Sequence, residues 1–211
     1  MMQRVIFSDV FFKPVVVEFS EENLSSDGGS LLLSALDRDI GLTETFASCL
    51  KDDRQEAKVE HDLLEMVRQR VFSIANGYED CNDSAKLRFD PVLKMACGRG
   101  TDRDDELASQ STLSRFENSV SCGQLLRLGE KLAETAIETQ KDRRKGKKRP
   151  KIITIDMDPY CDPSYGGQQL TFFNGFYDNY CYLPQLATIC FDDESTQYAV
   201  AAVLRPGNKG A

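Results

Sequence analysis

The residues best suited to chemistry are two carboxylates at the end of a short apolar segment, IITIDMD at residues 152–158. Because side chains alternate between the two faces of a β-strand, a strand here places Asp156 and Asp158 on one face and Met157 on the other. The apolar residues predict a mostly buried strand that presents both carboxylates at its C-terminal end. This arrangement is typical of enzymes that use two Mg²⁺ ions to activate water and stabilise a leaving oxygen. A strand that simply ends in solvated Asp residues before Pro159 is the alternative interpretation.

A second distinctive segment is aromatic, with the sequence FFNGFYDNYCYLP at residues 172–184. Flat rings are suited to stacking on nucleic-acid bases. A core beneath the sheet accommodates the same residues, and we favour that interpretation. Three nearby cysteines are interpreted as small core residues, namely Cys161, Cys181 and Cys190.

Basic residues are concentrated between residues 141 and 151, where Asp142 is the only acidic residue. They are Lys141, Arg143, Arg144, Lys145, Lys147, Lys148, Arg149 and Lys151. This density of positive charge suits contacts with DNA phosphates, and a solvated linker is an equally good interpretation.

A polar segment upstream, LASQSTLSRFEN at residues 107–118, predicts a turn and then a helix capped by Ser111 or Thr112. Together with an amphipathic helix predicted at residues 122–139, it could form a DNA-binding helix-turn-helix. The residue types that contact phosphates and base edges are Ser111, Thr112, Ser114 and Arg115. A helical bundle with a polar turn is the alternative.

The elements that must position these residues change in type along the chain. Residues 5–19 are rich in Val and Phe and predict two short strands or a hairpin. Helical spacing of apolar residues follows as far as residue 139 and is clearest at residues 59–76. Asp90 before Pro91 is typical of the start of a helix.

Beyond residue 150 the apolar pattern becomes that of β-structure. Strands are predicted at residues 152–158, 186–191 and 198–204, and the last two are antiparallel about a polar turn at residues 192–196. We therefore divide the chain into N-terminal strands (1–20), a helical region (21–140), a basic linker (141–151) and a sheet-rich region (152–211).

Composition restricts the classes of function. The seven cysteines form no Cys-x-x-Cys pair, and the N-terminus does not resemble a secretory signal, which favours reduced thiols in the cytoplasm and argues against zinc. The single histidine, His61, cannot anchor a histidine-based metal cluster, and no apolar run approaches membrane-spanning length.

The net charge of −8 argues by itself against nucleic-acid binding, but the distribution of charge matters more than the total.

Taken in order, these segments resemble the transposases of one insertion-sequence family in the broad IS4-like group of DDE enzymes. The resemblance covers nearly the whole chain from about residue 14. The matching motifs are GGSLLL (28–33), LASQSTLSRFEN (107–118), IDMD (155–158), DP (162–163), GQQ (167–169), FFNGFYDNYCYLP (172–184) and LRPGN (204–208).

The resemblance implies an α+β chain in which a helical DNA-binding region precedes the first three strands of an RNase H-like catalytic domain. It implies that Asp158 is the first catalytic Asp, that Asp156 is a neighbouring ligand or support, and that the cofactor is Mg²⁺ or Mn²⁺. The later Asp and Glu of the catalytic triad are expected beyond the motif at residues 204–208. We therefore expect the chain to be truncated before them, with an incomplete catalytic core at residues 152–211, and to be inactive by itself.

The function implied is that of a DNA transposase, which cuts and joins the terminal inverted repeats of its element. Self-association on DNA, a cytoplasmic location at the nucleoid and no membrane partner are expected with it. The alternative is a catalytically inactive DNA-binding remnant that represses or competes with an intact enzyme. A structural helical protein unrelated to DNA would require the ordered motif matches to be coincidence.

Overall fold

The computed structural model describes residues 5–7, 14–18, 25–101, 105–145, 149–192 and 194–210. The chain divides into two compact units, residues 1–124 and 125–211. The first is mainly helical, and the second contains one long helix followed by β-structure.

The first unit begins with the predicted hairpin, in which β1 (Val5–Phe7) pairs antiparallel with β2 (Val15–Val17). The α-helices of the described residues are α1 (Ser30–Ile40), α2 (Leu42–Cys49), α3 (Leu63–Ala75), α4 (Ser84–Leu87), α5 (Pro91–Cys97), α6 (Gln110–Ser119) and α7 (Cys122–Arg143). Single turns of 3-10 helix lie at Glu56–Lys58 and Cys81–Asp83. No helix of the described residues is both long and apolar enough to cross a membrane.

The clearest predicted helix, α3, begins later than the apolar pattern indicated. The carboxylate of Asp62 accepts a hydrogen bond from the backbone N–H of Glu65, so the helix starts at Leu63 and not at residue 59. An unpaired N–H at a helix start is stabilised by such a cap, which overrides the apolar spacing before it. The predicted cap of α5 is confirmed, since Asp90 accepts from the N–H groups of the second and third residues of that helix.

The predicted cap of α6 is wrong by two or three residues. Ser109 is the last residue with an extended backbone, and the helix starts directly after it, so Ser111 and Thr112 already lie inside the first turn. The side chain of Ser109 makes no capping hydrogen bond to the helix N–H groups. Its hydroxyl instead lies 3.0 Å from the hydroxyl of Thr112.

Two apolar clusters hold the helical unit together. One contains Phe72, Leu93, Ala96, Cys97 and Leu107, and the other contains Met66, Ala108 and Leu113. Because α3 contributes to both clusters, it is the central element of this unit.

The second unit begins within α7, which extends to Arg143 and so takes in the start of the basic segment predicted as a linker. Lys and Arg are good helix formers, and positive charge is favourable at a helix C-terminus. The helical pattern therefore continues past residue 139, where the apolar spacing ends.

The three predicted strands of the second unit are confirmed as β3 (Ile153–Pro159), β7 (Gln185–Phe191) and β8 (Tyr198–Val203), in an antiparallel sheet of order β3-β7-β8. Between β3 and β7 the chain forms β4 (Asp162–Pro163), β5 (Phe172–Asn174) and β6 (Asn179–Tyr182), in a second sheet of order β4-β6-β5.

The β3–β7 pair and the β4–β6 pair keep one antiparallel register across a short gap. Pro159 lies opposite Gln185, and Asp162 lies opposite Tyr182, so each side has two residues between these pairs and no bulge intervenes. Within the gap, the N–H of Tyr160 donates to the carbonyl oxygen of Pro184 at 3.1 Å. We call residues 152–164 and their partners 180–192 the long ladder.

Hydrogen bonds also define the two ends of the long ladder. At one end the N–H of Asp192 donates to the carbonyl oxygen of Ile152 at 2.9 Å, and at the other the N–H of Ser164 donates to that of Tyr180 at 3.0 Å. Side chains alternate between faces along an antiparallel ladder, and the register is the same on both sides of the gap. Even-numbered residues of both strands therefore share one face, which we call the even face.

Candidate active site

The structure confirms that the two predicted carboxylates share a face of their strand. Asp156 lies opposite Thr188 and Asp158 lies opposite Leu186, while Met157 between them belongs to the other face. Alternate residues of a strand are about 7 Å apart along its axis. The two carboxylates are therefore neighbours on the even face, at the centre of the long ladder.

The prediction that this strand is mostly buried is wrong. Ile155 and Met157 are each 64% exposed, and Ile153 is 58% exposed. Among the described residues β3 is an edge strand that pairs with β7 alone, so neighbours cover it on one side only. An apolar strand sequence shows that its side chains prefer burial. Whether they are buried depends on which elements pack against the strand.

The carboxylates of Asp156 and Asp158 are exposed and have neither a hydrogen-bonding nor a charged partner within the described residues. Carboxylate oxygens are hard ligands of the kind that Mg²⁺ prefers, and Mg²⁺ sites often use one or two of them with several waters. The pair suits such a hydrated ion. No cluster of three or more His, Cys, Asp or Glu side chains in the described ranges is arranged to hold a metal ion.

The expectation that the aromatic segment packs in a core beneath the sheet is also wrong for several of its rings. Its residues form the hairpin of β5 and β6, which extends the long ladder instead of lying under it. Phe173 and Tyr180 are 51% and 60% exposed and form an edge-to-face pair with ring centroids 5.5 Å apart. Because the hairpin continues the ladder lengthwise, few side chains lie above or below these rings.

Cys181 alone among the three cysteines assigned to the core is fully buried, and Cys161 and Cys190 are half-buried. All seven cysteines of the chain are free thiols. Cys181 and Leu183 belong to the odd-numbered face of the ladder, and both side chains are buried there.

The motif at residues 204–208 returns to the aromatic hairpin and fixes it. The N–H of Leu183 donates to the carbonyl oxygen of Arg205 at 2.9 Å, and the Arg205 Nε donates back to the carbonyl oxygen of Leu183 at 3.1 Å. Asn174 Nδ2 donates to the carbonyl oxygen of Gly207 at 2.8 Å. A Cβ at Gly207 would collide with the carbonyl oxygen of Cys181, so this close approach requires glycine.

The basic segment is partly engaged in structure. Arg144 forms ion pairs with Asp192 and Glu194, each with a nitrogen–oxygen distance of 2.8 Å. Sequence reasoning missed these partners because the turn that carries them lies almost fifty residues away. The exposed basic residues of the segment are Lys141, Arg143, Lys145, Arg149 and Lys151, whereas Lys147 and Lys148 lie outside the described residues.

Asp192 joins the end of α7 to the start of β3. One carboxylate oxygen accepts from the N–H groups of Lys151 and Ile152 at 2.7 and 3.0 Å, and the other accepts from Arg144. The N–H groups of Ile152 and Lys151, and then the guanidinium of Arg144, lower the pKa of Asp192 below its ordinary value. This contact sets where the long ladder begins, and it holds both ends of the basic segment close together.

The predicted DNA-reading residues lie on α6 of the helical unit. Leu113 is fully buried against Met66, which fixes the inward side of the helix. Ser111 and Arg115, one turn apart, are exposed on the outer side, and Thr112 and Ser114 are half-buried. The outer side of α6 is therefore a short polar surface that includes the cationic side chain of Arg115.

Comparison with known proteins identifies one family. No curated protein and no solved structure gives a match to the chain. The model of a transposase family, described as transposase DDE domain group 1, matches residues 7–211. Because this match spans nearly the entire sequence and confirms the family indicated by the motifs, the chain belongs to the DDE-domain transposases of group 1.

Proposed function

We propose that this chain acts in the transposition of an insertion sequence, as the part of a metal-dependent DNA transposase that carries the first catalytic carboxylates. The observation that carries the proposal is the pair Asp156 and Asp158, exposed together on one face of the long ladder. The antiparallel order β3-β7-β8 is compatible with the first three strands of an RNase H-like domain. Membership in a transposase family makes DNA the expected partner and divalent metal the expected cofactor.

In this proposal Asp158 is a ligand of Mg²⁺ or Mn²⁺, and Asp156 is a second ligand or supports the first. A divalent ion bound at such carboxylates lowers the pKa of a water ligand and offsets charge on a phosphate oxygen. The chain contributes rigidity, because paired backbone on the β7 side fixes the separation of the two carboxylates. Their lack of protein partners among the described residues leaves their oxygens available to an ion.

Two carboxylates are too few for two-metal phosphoryl transfer, in which the attacking and leaving oxygens are both held by metal. No described third acidic side chain is placed to complete such a site. The remaining ligands are therefore proposed to come from outside the described residues. We therefore expect that these two carboxylates alone do not support nicking of plasmid DNA, with either Mg²⁺ or Mn²⁺.

DNA contacts are proposed at two separate surfaces. The exposed cations of the basic segment, including Arg149 and Lys151, would contact phosphates, and Arg144 is left out because its ion pairs occupy it. Ser111 and Arg115 on α6 would contact the inverted repeats of the element. Self-association on the two DNA ends, at the nucleoid, completes the proposal.

The proposal is tested by excision of a marker placed between the DNA ends that flank the gene, with the whole coding frame expressed in cells. We expect excision with the natural sequence and none with Asp158→Asn, at equal protein level. Asp178→Asn is the matched control, since Asp178 lies in the hairpin turn with a left-handed backbone (φ 51°) that Asn also adopts. Excision that survives Asp158→Asn would refute the assignment of the site.

The second candidate function is that of a DNA-binding protein without catalysis, which represses or competes with an intact enzyme. It is favoured by the absence, among described residues, of a complete metal-binding cluster. Binding of the inverted repeats combined with no excision, by the natural sequence, would select it over the first proposal. If the 211-residue chain nicks DNA and Asp158→Asn abolishes this activity, the assignment of Asp158 stands. The proposal that further ligands are needed would then be refuted.

A further inference from the structure

The even face of the long ladder carries aromatic rings as well as carboxylates. Tyr160 lies two residues beyond Asp158, directly after the end of β3, and its N–H donates to the carbonyl oxygen of Pro184. Tyr180, at the end of the partner strand, is opposite Ser164 and therefore belongs to the even face too. Phe173 pairs with Tyr180 from the next strand and shares its face.

These three rings are accessible. Tyr160 is 54% exposed, Phe173 is 51% exposed and Tyr180 is 60% exposed. On the odd-numbered side of the ladder, Cys181, Leu183, Ile189 and Phe191 are buried, whereas Ile155 and Met157 of β3 are each 64% exposed. The rings are thus presented on the face where the carboxylates lie.

We propose that the even face binds unpaired nucleotides of the DNA strand next to the scissile phosphate, whose bases stack on Tyr160, Tyr180 and Phe173. This deepens and rests on the proposed transposase function, since it assigns the form of DNA that the site accepts. Neighbouring same-face positions of a strand are about 7 Å apart. The Tyr160 ring is therefore adjacent to whatever phosphate is held at Asp158.

The negative charge of the even face indicates that a bound DNA strand contacts it through its bases and not through its backbone. Asp156, Asp158 and Asp162 all lie on it and are exposed. Carboxylates repel the sugar-phosphate backbone unless a metal ion bridges the two, so the rings must contact the neutral bases while the backbone lies towards solvent. Stacked bases of a duplex hide their flat surfaces, so only unpaired nucleotides can offer them to the rings.

The same composition disfavours a protein occupant. A second copy of the chain or another protein surface packed here would bury three carboxylates that have no cationic partner among the described residues. Burial of an ionised carboxylate without a partner is strongly unfavourable. Stacked bases leave the edges of the face hydrated, so the carboxylates keep their water or bind a cation.

The test is binding of a fluorescein-labelled oligothymidylate to the purified 211-residue chain, measured by anisotropy with EDTA present. Removal of one stacking ring weakens single-strand binding about 5- to 100-fold, so we expect this for Tyr160→Ala and for Tyr180→Ala. Tyr160→Phe and Tyr180→Phe keep the ring and should bind like the natural chain. Binding of a duplex of equal length should not change in any of these variants.

Tyr165→Ala and Phe176→Ala are the matched controls, because these rings are 86% and 87% exposed but lie in the loop and at the hairpin tip. Circular dichroism of every variant checks that it is folded. Unchanged oligothymidylate binding in the Tyr160→Ala, Tyr180→Ala double variant overturns the proposal, and so does an equal weakening in the controls. A shift of that double variant to a smaller oligomer with unchanged DNA affinity also overturns it, by assigning the face to self-association.

The assay contains no metal and requires no cleavage. Failure of strand excision with intact single-strand binding would therefore count against the proposed function alone. Excision with no effect of the ring substitutions on binding would count against this inference alone.

Discussion

The helical unit and strand β3 of the second unit differ in whether their charged side chains have partners. In the helical unit, buried polar side chains are paired with one another: Glu65 lies 2.7 Å from His61 Nδ1 and accepts from Arg99 Nε at 2.6 Å. In the second unit, Asp156 and Asp158 lie exposed without a partner in the described residues. Paired groups stabilise a fold, whereas unpaired groups on a rigid strand are available to a ligand.

Further pairs of the helical unit follow the same rule. Gln69 is fully buried and both donates to and accepts from the backbone of Ala108, at 2.9 and 3.0 Å. Arg99 also binds Asp105 at 2.6 Å, which fixes the chain on both sides of a loop. The contrast teaches that the same residue types serve stability in one unit and are proposed to serve chemistry in the other.

The largest expected effect comes from breaking the network in the helical unit. Arg99→Ala leaves the carboxylate of Glu65 buried without its cation, which should lower the free energy of unfolding by about 3 kcal/mol. Urea denaturation followed by circular dichroism measures this change. As a control, Lys51→Ala removes an ion pair to Asp53 in which both side chains are 75% exposed, and should cost less than about 1 kcal/mol.

Asp158→Asn is the counterpart in the second unit, and it should change the free energy of unfolding by no more than about 0.5 kcal/mol. If Asp158→Asn destabilised the chain as much as Arg99→Ala, the contrast between the two units would disappear.

A smaller effect concerns acid stability of the second unit. The pKa of Asp192 is lowered in the folded chain by the N–H groups of Ile152 and Lys151 and by Arg144. Its contribution is therefore present above the unfolded value of about 4 and is lost as the pH falls through the lower folded value. Asp192→Asn should lower the melting temperature at neutral pH. It should also make the decrease in melting temperature at acidic pH smaller than in the natural chain.

Asp156→Asn provides the comparison for that titration, since it removes a carboxylate that has no partner in the described residues. It should leave the melting temperature at neutral pH as in the natural chain. A titration in which Asp192→Asn follows the natural curve would show that Asp192 does not hold the start of the ladder.

Much of this arrangement follows from local sequence. Strand alternation placed Asp156 and Asp158 on one face, and Asp90 before Pro91 located the start of α5. What sequence did not predict depends on contacts between distant residues. The ion pairs of Arg144 need the turn near residue 192, and the exposure of β3 depends on which strands pair with it.

The position of Tyr180 on the face of the carboxylates was missed, because it depends on pairing between distant segments. The register does not shift along the long ladder, so an even-numbered residue always lies opposite another even-numbered residue. Even-numbered residues of both sides therefore share one face. That constancy becomes visible only when the pairing partners are known. Periodicity within one segment predicts which of its residues share a face. Only the pairing of two segments shows which residues of both lie on the same face of the sheet.

The smallest expected effect is on the salt dependence of DNA binding. Replacing Lys147, Lys148 and Arg149 with Ala should reduce the slope of log affinity against log salt by roughly 0.9 for each phosphate that the chain no longer neutralises. Fluorescence anisotropy with duplex DNA over a series of salt concentrations measures the slope. The control makes the same change in charge at the exposed lysines of the helical unit, namely Lys51, Lys58 and Lys86. Equal slopes for both triple variants would make the basic segment an ordinary linker.

The central claim is that the exposed carboxylates of the long ladder bind metal, and Mn²⁺ binding to the purified chain tests it most directly. Electron paramagnetic resonance of free Mn²⁺ gives the dissociation constant for the natural sequence, Asp158→Asn, Asp156→Asn and the control Asp178→Asn. We predict that Asp158→Asn and Asp156→Asn each weaken binding by about tenfold or more, as expected when a ligand or its support is removed, and that Asp178→Asn has no effect. One dissociation constant shared by all four proteins would contradict the claim.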